Sequence, residues 1–115
     1  MGDFERRYFK RVAVDMLCAV VMPNGIKHAV MARNVSLGGL FIECDRPLAR
    51  GEQAKLILNL QVEGRLQKVE MDVEIVHGPS RVSMSAYGLG LRFVEISPEA
   101  QELVERFIDA RPALA

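Results

Sequence analysis

The chain has 115 residues, of which 50% are hydrophobic and 26% are charged, the composition of a single ordinary globular domain. Lysine plus arginine and aspartate plus glutamate both number 15, and this zero formal net charge argues against a general nucleic-acid binder, whose affinity comes mostly from phosphate neutralisation. No apolar run approaches the roughly 20 residues that span a bilayer, and the charged start MGDFERR is unlike a signal peptide, so we expect a cytoplasmic protein without a membrane span.

Six short segments have the apolar and β-branched residues of strands, and several alternate with a period of two. In chain order they are 12–22, 26–33, 40–44, 54–60, 69–75 and 87–93. Turn residues separate them: Pro23-Asn24-Gly25 joins the first two strands, and Gly78-Pro79-Ser80 is expected to begin a loop. The segment 69–75 alternates most cleanly, with apolar residues on one face and three carboxylates on the other, as in a half-buried antiparallel strand.

The end of the chain predicts a glycine-bearing strand and then a helix. Gly88 and Gly90 share one face of the last strand and leave space there for a neighbouring backbone, a bulge or a ligand. Ser97-Pro98-Glu99 suits a helix start, so we expect a helix over 97–111. Six strands that each have one apolar face favour closure of the sheet into a small barrel, which buries those faces. The sequence therefore predicts an all-β fold, a six-stranded antiparallel barrel with a C-terminal helix, over 12–115.

The stretch Asn34-Val35-Ser36-Leu37-Gly38-Gly39 has two interpretations. It suits a turn between strands, in which the Asn and Ser side chains cap backbone N–H groups and the glycines take positive φ. It also suits an anion site, because Asn and Ser offer side-chain hydrogen bonds and glycines let a ligand approach their exposed N–H groups.

Residues 1–11 form a basic arm in which RRYFKR, residues 6–11, places four cations in a short segment. One interpretation is a flexible, solvated tail. The other is a clamp, since Arg7 and Arg11 stand four residues apart. An arginine fork pairs bidentately with phosphate and with the O6/N7 edge of guanine.

Together the two motifs resemble the signature of the PilZ family, RxxxR followed by (D/N)xSxxG. Arg7 to Arg11 matches the first part and Asn34 to Gly39 matches the second. Val12 to Asp15 resembles the first strand of the family, and Gly88 to Ser97 its last strand and helix start, so the resemblance covers nearly the whole chain. The family folds as a six-stranded split barrel with a helix and binds the bacterial second messenger cyclic di-GMP.

The resemblance implies a cyclic di-GMP site with a role for each motif. The two arginines of RxxxR would grip phosphates and guanine edges, Asn34 and Ser36 would hydrogen-bond the other side of the ligand, and Gly39 would allow its close approach. The residues expected at this site are Arg6, Arg7, Arg11, Asn34, Ser36, Gly38, Gly39 and His77. Asn34 in place of Asp removes a carboxylate acceptor for guanine, but its carbonyl still accepts, so we expect an altered affinity.

Two of the residues expected at the site lie outside the two motifs. Arg6 precedes RxxxR and would be compatible with two stacked ligand molecules and a ligand-bridged homodimer. His77 is expected at a strand end near the site, where it would stack on a base, although an exposed strand-end histidine is the simpler interpretation. Two histidines and two cysteines, His28, His77, Cys18 and Cys44, make no zinc pattern, so we expect neither a metal nor a cofactor.

The predicted function is a cyclic di-GMP receptor that changes conformation or association and signals to a protein partner. The alternative within the fold is an interaction adaptor that does not bind nucleotide. A small barrel that binds single-stranded nucleic acid is disfavoured by the zero net charge. An enzyme is not predicted, because Ser36 has no motif-linked histidine and the carboxylates of segment 69–75 indicate a solvated face.

Overall fold

The computed structural model describes residues 10–114, and residues 1–9 and 115 lie outside the described part of the chain. The elements are β1 (Val12–Val21), β2 (Lys27–Val35), β3 (Gly39–Cys44), β4 (Gln53–Val62), β5 (Arg65–Ser83), β6 (Ala86–Glu95) and α1 (Pro98–Asp109). The strands pair antiparallel in the order β1-β2-β3-β6-β5-β4, and β1 pairs with β4 to close the barrel. The predicted antiparallel barrel with a C-terminal helix is confirmed.

The core fills the inside of the barrel, and in β4 and the first half of β5 it is built from every second residue. The inward residues of β4 and β5 are buried, as their alternation predicts: Ala54, Leu56, Leu58, Leu60, Val62, Val69, Met71, Val73 and Ile75. Burying a leucine or valine side chain contributes about 1.5–3 kcal/mol, so this set is a main source of stability. The barrel is closed by three residue pairs between the end of β1 and β4, which are Ala19 with Ile57, Val20 with Leu56 and Val21 with Lys55.

Helix α1 packs against β4 and β5 through one apolar face. Val104, Phe107 and Ile108 are buried there. Ser97 caps the helix, since its Oγ accepts a hydrogen bond of 3.1 Å from the backbone N–H of Ala100. The helix thus begins as the Ser-Pro-Glu signal predicts.

Strand β5 is longer than its sequence suggests. The predicted loop at Gly78-Pro79-Ser80 is wrong, because β5 continues through it to Ser83 and pairs with β6 along its whole second half. Register shifts on both sides of His77 absorb the extra residues, and such bulges are where a sheet tolerates Gly and Pro. The far end of this hairpin is held by Arg81, whose guanidinium donates to the hydroxyl of Tyr87 at 2.7 Å.

Cys18 lies in the core, as its apolar segment predicts. Burial raises the pKa of its thiol to about 11, so the thiol stays protonated at neutral pH. Among residues 10–114, no helix has both the length and the apolar character needed to cross a bilayer.

Candidate functional site

A cleft on the outside of the barrel lies where the β2–β3 turn meets β5 and β6. Its volume of about 520 Å³ falls in the range of roughly 300–1,000 Å³ typical of small-molecule sites. The residues that line it are Arg11, Asn34, Ser36, Gly38, Gly39, Leu40, Phe41, Val76, His77, Gly90, Leu91 and Arg92. Both sequence motifs contribute to this one cleft.

Asn34 reaches the cleft because β2 carries a bulge. Ala32 pairs with Ile42 and Asn34 with Phe41, so β2 has one residue more than β3 at this point. Before the bulge the residues of β2 that face the core are Val30 and Ala32, two positions apart. After the bulge the next residue that faces the core is Val35, three positions on, which is buried. Without the bulge the period-two alternation would point Asn34 into the core. The bulge instead leaves it partly exposed at the cleft.

Ser36 builds the turn between β2 and β3. Its backbone N–H donates to the Gly39 carbonyl at 2.8 Å, and its Oγ accepts a hydrogen bond of 3.2 Å from the N–H of Gly38. The side chain is 4% exposed. A further hydrogen bond, from the Phe93 N–H to the Gly38 carbonyl at 2.9 Å, ties the turn to β6. The turn interpretation of NVSLGG therefore describes Ser36, whose hydroxyl is already bonded inside the turn.

Gly39 is required by close packing rather than by its φ angle. Positive φ among the described residues occurs at other positions, so the expectation that the motif glycines adopt it is wrong. A Cβ on Gly39 would lie 2.0 Å from the carbonyl oxygen of Leu91, a backbone atom of the neighbouring strand β6. Only glycine lets β3 and β6 approach so closely at the edge of the cleft.

A hydrogen bond connects the two motifs across the cleft. The guanidinium Nη1 of Arg11 donates to Oδ1 of Asn34 at 2.7 Å, although the two residues are 23 positions apart in the chain. The backbone carbonyl of Arg11 also accepts a hydrogen bond of 2.6 Å from the N–H of Leu114, which follows the helix. The last residue of RxxxR is thus anchored by its backbone and directed at the first residue of NxSxxG by its side chain.

One row of paired residues crosses four strands at the floor of the cleft: Asn34, Phe41, Gly90 and His77. Gly90 lies between the two rings, and a Cβ there would lie 2.9 Å from the Cβ of His77. Gly88 gives similar room to Phe41, because a Cβ on it would lie 2.4 Å from the Cζ of that ring. The glycines of β6 therefore leave space for these two rings, which flank a shallow floor.

His77 and two residues not predicted from the sequence complete the walls. His77 lies within β5 beside two register shifts, so its expected position at a strand end is wrong, but it is exposed and lines the cleft. Phe41 and Arg92 also line it. Neither belongs to a motif, and only their register opposite Asn34 and Gly39 could have indicated them.

The charge of the cleft is positive. Two guanidinium groups, of Arg11 and Arg92, line it, and no carboxylate does so among the described residues. A larger cleft of about 620 Å³ near the β1–β2 turn is lined instead by Asp72 and Glu95 beside Lys55. The first cleft therefore suits an anion and the larger one does not.

Six of the eight residues expected at a ligand site line this one cleft, namely Arg11, Asn34, Ser36, Gly38, Gly39 and His77. Arg6 and Arg7 lie outside the described residues. That these residues bind a ligand remains a prediction.

Comparison with known proteins identifies a family over almost the whole chain. The model described as PilZ domain matches residues 5–110. No curated protein matches the chain.

Several solved structures share the fold. The inhibitor of motility MotI/DgrA of Bacillus subtilis is 19% identical with a TM-score of 0.75, over 91% of this chain and 51% of that one. The PilZ domain of YcgR from Escherichia coli with c-di-GMP is 19% identical with a TM-score of 0.71, over 92% of this chain and 90% of that one. YcgR in complex with c-di-GMP, from the same organism, is 22% identical with a TM-score of 0.70, over 91% of this chain and 45% of that one. The chain thus spans about half the length of MotI/DgrA, and at these identities the likeness establishes the fold alone.

Proposed function

The chain belongs to the PilZ domain family, and from this membership we propose that it is a receptor for cyclic di-GMP, which binds in the cleft between the β2–β3 turn and strands β5 and β6. The observation that carries the proposal is the hydrogen bond of 2.7 Å between Arg11 and Asn34. It brings together, at one positive cleft, the two motifs on which the resemblance rests.

The chemistry of the cleft suits a guanine dinucleotide with two phosphates. The guanidinium groups attract the phosphates, and each charge-assisted hydrogen bond contributes about 1.5–3 kcal/mol. The floor at Gly90, between the rings of Phe41 and His77, offers a place where a planar base can lie against an aromatic ring.

Each motif residue has a distinct role in this proposal. Arg11 exchanges its hydrogen bond with Asn34 for one with the ligand, and the Asn34 amide then bonds to the edge of a guanine. Ser36 acts by shaping the turn, since its hydroxyl is bonded within it. Arg6 and Arg7 of the basic arm add further positive charge for the phosphates of the ligand.

Signalling would follow from the position of the arm. A ligand held by both the arm and the barrel fixes one against the other, and the resulting surface, or a ligand-bridged dimer, is then presented to a protein partner. YcgR with c-di-GMP shares the fold, and a neighbour with the same fold is an inhibitor of motility. These likenesses support a receptor that acts on a partner, rather than a catalyst.

Isothermal titration calorimetry with cyclic di-GMP tests the proposal. We expect the wild type to bind and the double variant Arg7→Ala/Arg11→Ala to lose at least about 100-fold in affinity, because two charge-assisted contacts of about 1.5–3 kcal/mol each are removed. Arg65→Ala removes an arginine from the start of β5 that does not line the cleft, and it should bind like the wild type. A wild type that gives no binding heat would refute the receptor and leave the adaptor that does not bind nucleotide.

A further inference from the structure

Arg92 lines the cleft together with Arg11, and it belongs to neither motif. It lies on β6, it lines the cleft, and its side chain is 53% exposed. Its long stem and planar fork can reach a phosphate that lies over the cleft. The charge of the site therefore depends on more than RxxxR.

The neighbours of Arg92 differ sharply on its two sides. On the cleft side it pairs in register with Gly39, which has no side chain to block the guanidinium. On the other side it pairs with Glu74 of β5, and its Nη2 donates to Oε1 of Glu74 at 2.6 Å. Glu74 does not line the cleft. The row Gly39, Arg92, Glu74 thus offers the guanidinium two alternatives, an open cleft and a carboxylate.

We propose that Arg92 is a further ligand-binding residue, which contacts a phosphate of the bound dinucleotide, and that Glu74 competes with that phosphate for its guanidinium. The inference rests on the proposed receptor function and identifies a residue that sets its affinity. An ion pair this exposed is weak, because water solvates both groups, so a dianionic ligand can displace the carboxylate.

The sign of each effect follows from the charges. Removing the charge of residue 92 takes away an attraction for the phosphate, so binding weakens. Removing the charge of residue 74 frees the guanidinium and removes a negative charge near a dianion, so binding strengthens. If the contact is to phosphate, it is also screened by salt.

Calorimetry with cyclic di-GMP on the wild type, Arg92→Gln, Glu74→Gln and the double variant tests this inference. We expect Arg92→Gln to weaken binding about tenfold, or about 1.4 kcal/mol, and Glu74→Gln to strengthen it about threefold, or about 0.65 kcal/mol. The gain from Glu74→Gln should shrink when residue 92 is glutamine. Raising the salt concentration should weaken the wild type more than Arg92→Gln.

A matched control separates this effect from a general loss of positive charge. Arg81→Gln removes an arginine from β5 whose guanidinium donates to Tyr87 and does not line the cleft, so its affinity should equal that of the wild type. Thermal melts of all variants confirm that each is folded.

The outcomes distinguish a failure of this inference from a failure of the proposed receptor function. Wild-type binding with an unchanged affinity for Arg92→Gln would overturn the role of Arg92, and a weakened or unchanged affinity for Glu74→Gln would overturn the competition. No binding by the wild type would overturn the receptor function itself, and this inference with it.

Discussion

Two local features of the backbone bring the side chains of Asn34 and Arg11 together. A bulge in β2 turns the Asn34 side chain outward, and a hydrogen bond from Leu114 fixes the carbonyl of Arg11. The motif residues could be predicted from the sequence because their types and order are distinctive. The bulge could not, because it depends on how β2 pairs with β1 and β3, which lie on either side of it.

Gly39 offers a residue-scale test of the structure that does not involve a ligand. Gly39→Ala should lower the free energy of unfolding by about 1–3 kcal/mol, the usual cost of overpacking, because its Cβ would overlap the Leu91 carbonyl oxygen. Urea denaturation measures this. The exposed strand substitution Asn59→Ala should change stability by less than about 0.5 kcal/mol. Equal stability of Gly39→Ala and the wild type would mean that β3 and β6 are not so close.

Element β5 shows what periodicity can and cannot predict. Its first half alternates cleanly and was predictable in both type and direction, since a half-buried strand has a period of two. Its second half contains a Gly-Pro pair and register shifts, so local residue preferences favoured a loop while pairing with β6 determined a strand. The same pairing places His77 within the strand rather than at the strand end that the sequence predicts. Tertiary pairing overrides local preference where a strand carries bulges.

The start of α1 was predictable from Ser97 and the two residues after it, and the cap that Ser97 forms can be tested. Ser97→Ala removes the hydrogen bond from the Ala100 N–H to Oγ and should cost about 0.5–2 kcal/mol of stability. The measurement is again the urea midpoint. Ser85→Ala, in the exposed end of the β5–β6 hairpin, is the matched serine control and should have little effect. A stability loss no larger than that of the control would contradict the cap.

At the scale of the whole molecule, closure of the barrel explains how a site forms from distant segments. Strand order places β3 between β2 and β6, so the row of Asn34, Phe41, Gly90 and His77 comes from four strands. Strand number and barrel closure followed from the sequence, because six half-apolar strands have few other ways to bury their faces. The positions of Phe41 and Arg92 at the cleft did not follow from the sequence, because they depend on the register between strands.

The distribution of charge over the surface is also a property of the whole molecule. The chain is neutral overall, yet one cleft is lined by two arginines and the other by two carboxylates with a lysine. Global neutrality argues against a polyanion that covers a large surface, and local asymmetry favours a small dianion at one place.

The location of the ligand is the central claim, and amide chemical-shift mapping by nuclear magnetic resonance tests it most directly. On titration of the isotope-labelled chain with cyclic di-GMP, we predict that the largest shifts fall on Arg11, Asn34, Ser36, Gly39, Phe41, Gly90 and His77. Small shifts there, with the largest ones around Pro23, Lys55 and Val94 at the other cleft, would contradict the account.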